Sequence, residues 1–173
     1  MKYKLFLSFI ITTLVCFSAL AESMPVPIKI QTALFLKILS YDKSIKSNIK
    51  IGILSGSNKQ EILKSFQAIA NEKIGSYSFS VVDINDIRDI SNKNINVLYV
   101  PPDNKNKISQ ISKAAKNSGI LTLTGIPDYV ESGELSVAIE TKDGKPKILV
   151  NMDSFKRENR DFSSQLLKLC RIL

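Results

Sequence analysis

The sequence predicts an α/β fold, a mostly parallel central sheet flanked by helices and completed by a C-terminal β-hairpin and a final helix. Three observations carry that expectation. Short β-rich runs at residues 49–54, 76–82, 95–100 and 120–124 alternate with stretches of helical spacing, and strands joined through helices need right-handed crossovers and so a parallel sheet covered on both faces. Leu135, Val137 and Ile139 alternate toward Asp143-Gly144, and Ile148 and Val150 alternate away from it, the pattern of a hairpin with a two-residue turn. The chain has 173 residues, 44% of them hydrophobic and 23% charged, which is the size and composition of one globular domain and not of a disordered or fibrous chain.

The first 21 residues read as a leader. Lys2 and Lys4 precede an uncharged apolar run from Leu5 to Ser18, and Ala19-Leu20-Ala21 offers a small-x-small cleavage site, the plan of a secretory signal peptide. Leu5 to Ala21 is shorter than the about 20 residues that cross a bilayer comfortably. Removing 21 of 173 residues leaves 152, from residue 22 to 173, as one α/β domain, and takes the net charge from +8 to +6 with the loss of Lys2 and Lys4. Cys16 leaves with the leader. Cys170 is then the only cysteine, too few for an internal disulfide, and reads as a small buried hydrophobe on a helix.

The elements follow in order. Pro27 suits the first turn of a helix in which Ile28, Gln31, Thr32, Phe35, Ile38 and Leu39 share a face. Ala33, Leu34 and Leu36 broaden that face beyond what a surface helix needs, so the helix is either well buried or packs on a partner or a second copy, with Phe35, Leu36 and Leu39 as the expected contact. The run IKIGIL ends at Ser55-Gly56-Ser57, where Ser57 and Gln60 have capping-box spacing for a helix through Ile62, Leu63, Phe66 and Ile69. Tyr77, Phe79 and Val81 alternate with serines as a second strand, and Ile84, Ile87 and Ile90 suit a short helix. Beyond the third strand, Pro101-Pro102 stops the run, and Asp103 and Asn104 stand where they could cap a helix that ends at Gly119. After the fourth strand, Pro127 starts a single helical turn. Asp161 stands ready to cap a last helix with Phe162, Leu166, Leu169 and Leu173 on one stripe.

Chemistry is constrained by what is missing. Without a single histidine there is no Ser-His-Asp or Cys-His catalysis and no imidazole metal ligand. The acidic clusters Asp83/Asp86/Asp89 and Asp128/Glu131/Glu134 have the spacing of solvated helix faces, and neither has a metal-loop partner. No nucleophile, base and orienting group come together, so no enzyme, cofactor or metal is expected. The 24 basic residues are mostly lysines spread along the chain, and with arginine scarce they do not mark a nucleic-acid surface. The best ligand candidate is a rim at the strand ends, made by Ser55, Gly56, Ser57 and Lys59 with Pro101 and Thr124. Free amides at a helix start favour an anion, and ligands on open parallel sheets lie beyond the carboxyl ends of the strands.

The stretches TALFLKILSYD, IKIGIL, NVLYV, LTLTGIPDYVESGELSVAIETKDGKPKILVNMDSF and DFSSQLLKLCRIL together resemble the YfiR-like family of bacterial periplasmic proteins. The likeness is strongest after Asn94, where Gly125, Gly133, Asn151, Ser163, Ser164, Leu166 and Leu167 are the landmarks. The resemblance implies a protein that works by binding and without catalysis, whose partner is the periplasmic domain of an inner-membrane signalling protein such as a diguanylate cyclase. Two departures mark a divergent member: the early helix ends in LSYDKSI without a Trp-Pro type ending, and the cysteine pairs of some members are missing. A periplasmic small-molecule binding protein using the strand-end rim is the alternative.

Overall fold

The computed structural model of the protein describes residues 25–45, 48–70 and 77–173. The expected leader, with its cleavage site and Cys16, lies outside the described residues, as does the expected first residue of the second strand, Ser76. No helix among the described residues is long and apolar enough to cross a membrane.

The elements in chain order are α1 (Ile28–Leu39), β1 (Asn48–Leu54), α2 (Lys59–Ala70), β2 (Ser78–Ile84), β3 (Val97–Val100), α3 (Ile108–Asn117), β4 (Leu121–Thr124), α4 (Pro127–Glu131), β5 (Val137–Lys142), β6 (Lys145–Val150), α5 (Met152–Arg157), α6 (Ser164–Leu167) and β7 (Cys170–Ile172). Seven strands form one sheet in the order β2-β1-β3-β4-β5-β6-β7. The first five run parallel, β6 turns back antiparallel on β5, and β7 lies parallel to β6. This is the mostly parallel, helix-flanked sheet with a C-terminal hairpin that the sequence predicts.

Period-two alternation divides the strand side chains between two cores. On one face Ile49, Ile51, Ile53, Val97, Tyr99, Leu121 and Leu123 meet α1 and α2 through Phe35, Leu36, Leu39 and Phe66, with Phe155 and Phe162 from the C-terminal segment. On the other face Leu98, Val100, Ala138 and Leu149 meet α3 and α4 through Ile111, Ala115, Tyr129 and Val130. Tyr99 lies edge-on to both Phe35 and Phe66, with ring centroids 6.0 and 5.4 Å away, a geometry that suits aromatic quadrupoles. The hairpin turn is the one expected: Asp143 and Gly144 both have positive φ, 52° and 69°, as a type I′ turn requires.

Several local expectations give way, some to a longer-range partner and some to a neighbouring residue. Ser57 and Gln60 form no capping box; α2 begins at Lys59, behind Asn58 with its φ of 57°. A 3-10 turn over Pro102–Lys107 precedes α3, so Asp103 and Asn104 do not cap that helix. Between β2 and β3 only a 3-10 turn forms, at Ile87–Asp89, capped by Asp86. An unexpected helix, α5, follows the hairpin because the Asn151 side chain accepts a hydrogen bond from Ser154 N. The final helix is present, but Ser163 caps it in place of Asp161 and it stops after one turn. Beyond it the chain is drawn into the sheet, where Leu173 N donates to Val150 O. Pairing with the outer edge of β6 satisfies backbone groups that a longer helix would leave to solvent. Cys170 therefore sits half-buried on an edge strand and not on a helix.

Candidate functional site

The strand-end rim is assembled as the sequence suggests, at the carboxyl ends of β1, β3 and β4. The chain leaves β1 for α2 on one face and β3 for α3 on the other, so the strand order reverses between them and creates the crevice where such sheets hold ligands. The protein fills that crevice itself. Asp103 Oδ2 accepts a hydrogen bond from Ser57 N at 2.7 Å, which places the chain's own carboxylate where an anion would sit. That hydrogen bond holds the Asp103 carboxyl below the usual carboxylate range. Gly56 packs so closely on this loop that a Cβ would stand 2.7 Å from Asp103 Oδ1 and 2.8 Å from Pro101.

The remaining rim residues are similarly occupied. Lys59 Nζ donates to Asp83 Oδ2 at 2.8 Å and to Asn85 Oδ1 at 2.9 Å. Buried Thr124 donates to Val100 O and accepts from Ile126 N. Asn104 reaches back to donate to Ser55 O. Ser55, Gly56, Ser57, Lys59, Pro101 and Thr124 thus come together, but as a self-bonded seam.

An open cavity of about 380 Å³ lies beside the seam, between the Ser55 turn, the loop after β2 and the start of α3. Its walls include Asn85, Arg88, Asn104, Lys107 and Gln110. None of these five is a site candidate on the sequence alone. Their only signal was position: they follow the ends of β2 and β3, and their chemistry forms no motif.

The expected partner contact falls in the core. Phe35, Leu36 and Leu39 have no exposed surface, because the α1 face that carries them lies against the sheet and α2. The large hydrophobics that are exposed among the described residues are Ile30, Tyr41, Leu169, Ile172 and Leu173.

Most family landmarks have local structural work. A Cβ on Gly125 would lie 2.6 Å from Gln31 Oε1. Only a glycine lets the buried Gln31 amide donate to Val26 O and accept from the Tyr99 hydroxyl. Gly133, with a φ of 77°, closes α4, and its carbonyl accepts from Ser154 Oγ and Arg157 Nη2. Asn151 joins the same knot by donating to Val130 O. Ser163 accepts from Leu166 N, Leu166 is buried, Leu167 packs at the edge of the core and Ser164 is exposed.

The opposite end of the sheet holds a buried ionic cluster that the sequence did not reveal. Arg160 Nη2 donates to Asn96 O and Gly119 O at 2.6 and 2.5 Å, and Nη1 lies 3.7 Å from Asp42 Oδ2. The Arg160 and Asp42 side chains are 7% and 0% exposed. Glu158, also buried, accepts from Thr122 N and Thr122 Oγ1, and burial pushes its carboxyl up to about 7. Arg160 comes from the loop after α5 and Asp42 from the loop after α1, two segments already linked by the Asp42–Phe162 bridge. Among the described residues no group of three or more Asp, Glu or Cys side chains is placed to hold a metal ion.

A family model described as YfiR/HmsC-like matches residues 29–171. No protein of curated function matches the sequence significantly. Among solved structures, a conserved domain protein from Vibrio cholerae O1 biovar El Tor is similar at a TM-score of 0.60 and 14% identity. The ABC domain in complex with L-Trp from Streptococcus pneumonia gives 0.59 and 14%. The ligand-free, open form of CD0873, a substrate binding protein with adhesive properties from Clostridium difficile, gives 0.57 and 16%. The matches cover 84%, 84% and 86% of this chain but only 60% of each of those chains. At these identities the likeness concerns the fold.

Proposed function

The chain belongs to the YfiR/HmsC-like family, and from that premise we propose that it is a non-enzymatic periplasmic regulator, exported by its leader, that binds and represses a membrane-bound signalling protein. The observation that carries this reading is the family match over residues 29–171. The partner that best fits the family's resemblance is the periplasmic domain of a diguanylate cyclase, which makes the output cyclic-di-GMP. The self-satisfied rim supports a role in contact over one in chemistry, since Asp103, Lys59 and Thr124 spend their polar groups on the fold. Deleting the gene should raise cellular cyclic-di-GMP, and supplying the exported protein should lower it again. Unchanged levels across growth conditions would overturn the reading.

A second reading, binding of a small molecule at the carboxyl ends of the strands, is favoured by a separate observation. Two structural neighbours are described as in complex with L-Trp and as a substrate binding protein, and this chain keeps an open cavity at its strand ends.

A further inference from the structure

The cavity between the Ser55 turn, the loop after β2 and the start of α3 differs from the seam beside it in having polar capacity to spare. Asn104 is 8% exposed and spends its Nδ2 on Ser55 O and Pro101 O, at 3.1 and 3.4 Å. That leaves Oδ1, inside a cavity wall, accepting no hydrogen bond from the described residues. Asn85 is the converse: its Oδ1 accepts from Lys59 Nζ, which leaves its amide hydrogens to donate. Gln110, exposed, lines the same space and makes no side-chain hydrogen bond among the described residues. These groups face an open cavity, where a ligand that brings matching donors and acceptors can take the place of water at them.

The charges of the wall decide the sign of that ligand. Asp86 uses Oδ1 on Arg88 N and Nε and Oδ2 on Arg88 Nη2, all at 2.9 Å, so this carboxylate and guanidinium largely cancel. Lys107 makes no ion pair among the described residues and leaves the wall one positive charge in excess. Leu54 and Ile87 supply an apolar floor. A volume of about 380 Å³ lies toward the small end of the range for small-molecule sites, about 300–1,000 Å³.

We propose that this cavity binds a small hydroxylated anion of sugar-acid or sugar-phosphate type, with Lys107 meeting the charge and the Asn85, Asn104 and Gln110 amides reading its hydroxyl groups. The proposal rests on the second reading above, of which it names the site and the ligand class, and is independent of the first. D-Gluconate and D-glucose 6-phosphate are suitable probes, since they share the polyol and differ in carrying a carboxylate or a phosphate. D-Glucose and inorganic phosphate are the controls that lack one half of the chemistry.

The test is amide chemical-shift mapping of the purified, isotope-labelled protein with each compound, followed by calorimetry on the wild type and on Lys107→Gln. At least one of the two anionic sugars should move the amides of Ser55, residues 85–88 and residues 104–110, while glucose and phosphate bind at least about tenfold more weakly. Lys107→Gln should lower the affinity about tenfold and remove most of its salt dependence without changing the melting temperature. Shifts confined to Ser57, Lys59 and Thr124 would overturn the cavity and leave small-molecule binding at the strand ends standing. An unchanged affinity in the Lys107 variant would overturn the ligand class, and no binding of either anionic sugar up to about 10 mM would overturn the proposal as a whole.

Discussion

At the amino ends of β3 and β4, Arg160, Asp42 and Glu158 are taken out of water: Arg160 is held by the Asn96 and Gly119 carbonyls, Glu158 by Thr122, and Asp42 by Ser44 and the Arg160 guanidinium. At the carboxyl ends of β1, β2 and β3, polar groups of the same kinds lie near or in solvent, and those of the cavity wall retain free donors and acceptors. One sheet therefore carries two polar clusters of different consequence. In the buried cluster each group is held in place by the cost of leaving its neighbours unpaired. In the exposed cluster a lost contact is replaced by water. Substitution should thus be expensive at the amino end and cheap at the carboxyl end.

The sharpest way to break this contrast is Arg160→Ala. The guanidinium bridges the loops before β3 and β4 to the chain after α1, and removing it leaves the Asp42 carboxylate at 0% exposure without its countercharge, held only by Ser44. Breaking one side of a buried pair costs about 3–5 kcal/mol, so urea unfolding should show a loss of that size or an unfolded protein. A loss under about 1 kcal/mol would mean that water reaches the cluster, and the contrast between the two ends would fail.

Glu158→Gln sharpens the same point through pH. Burial pushes the Glu158 carboxyl up to about 7 from an ordinary 4.5, so the folded protein binds this proton more tightly than the unfolded chain does. The stabilisation from that proton is complete below the ordinary value and is lost as pH rises through about 7. The difference between the two values corresponds to about 3 kcal/mol. Glutamine keeps the shape and never ionises, so its stability relative to wild type should climb between about pH 5 and pH 8 by up to that amount. Parallel pH profiles for the two proteins would show that Glu158 is solvated.

How much of this was legible in the sequence follows from the range of each interaction. Strands, hairpin and helix faces were readable because period and turn chemistry are local: Tyr77, Phe79 and Val81 alternate, and Asp143-Gly144 marks its own turn. One capping expectation failed because a distant group competed: Asp103 bonds Ser57 N, 46 residues away, in place of its own helix. The last stretch read as a longer helix because its apolar stripe is helical, but β6 offered an open edge. The ionic cluster was invisible for the same reason: Asp42 and Arg160 stand 118 positions apart and meet only through the fold. The place of the rim residues is legible because strand ends are predictable from topology. That it would be filled by its own carboxylate was not, since nothing local distinguishes Asp103 from a helix cap.

An intermediate effect is expected at the carboxyl end of β4, where Thr124 and Gly125 are buried. Gly125→Ala would put a methyl group 2.6 Å from Gln31 Oε1 and 2.7 Å from Nε2. Gln31 cannot move aside without giving up its bonds to Val26 O and the Tyr99 hydroxyl. A loss of about 2 kcal/mol in thermal or urea unfolding is expected from the strain and the broken bonds together. Adding Gln31→Ala should recover part of it, because the two substitutions share one space and are not additive. Strict additivity would show that Gly125 matters for another reason.

The smallest effect on stability, and the most informative about the rim, should come from Asp103→Ala. The Asp103 carboxylate is largely exposed and its bond to Ser57 N crosses a surface turn, so its removal should cost no more than about 1 kcal/mol. What changes is the amide. With Asp103 present, Ser57 N already has an anionic acceptor, and added phosphate has nothing to displace it for. With alanine in its place the same amide points at solvent near Lys59, and phosphate or sulfate should occupy the vacated position. Amide exchange at Ser57 should therefore quicken in the variant and slow again on adding phosphate, while in the wild type phosphate has no effect there. If phosphate protects Ser57 in the wild type as well, the seam is not closed by its own carboxylate and the boundary drawn between seam and cavity is in the wrong place.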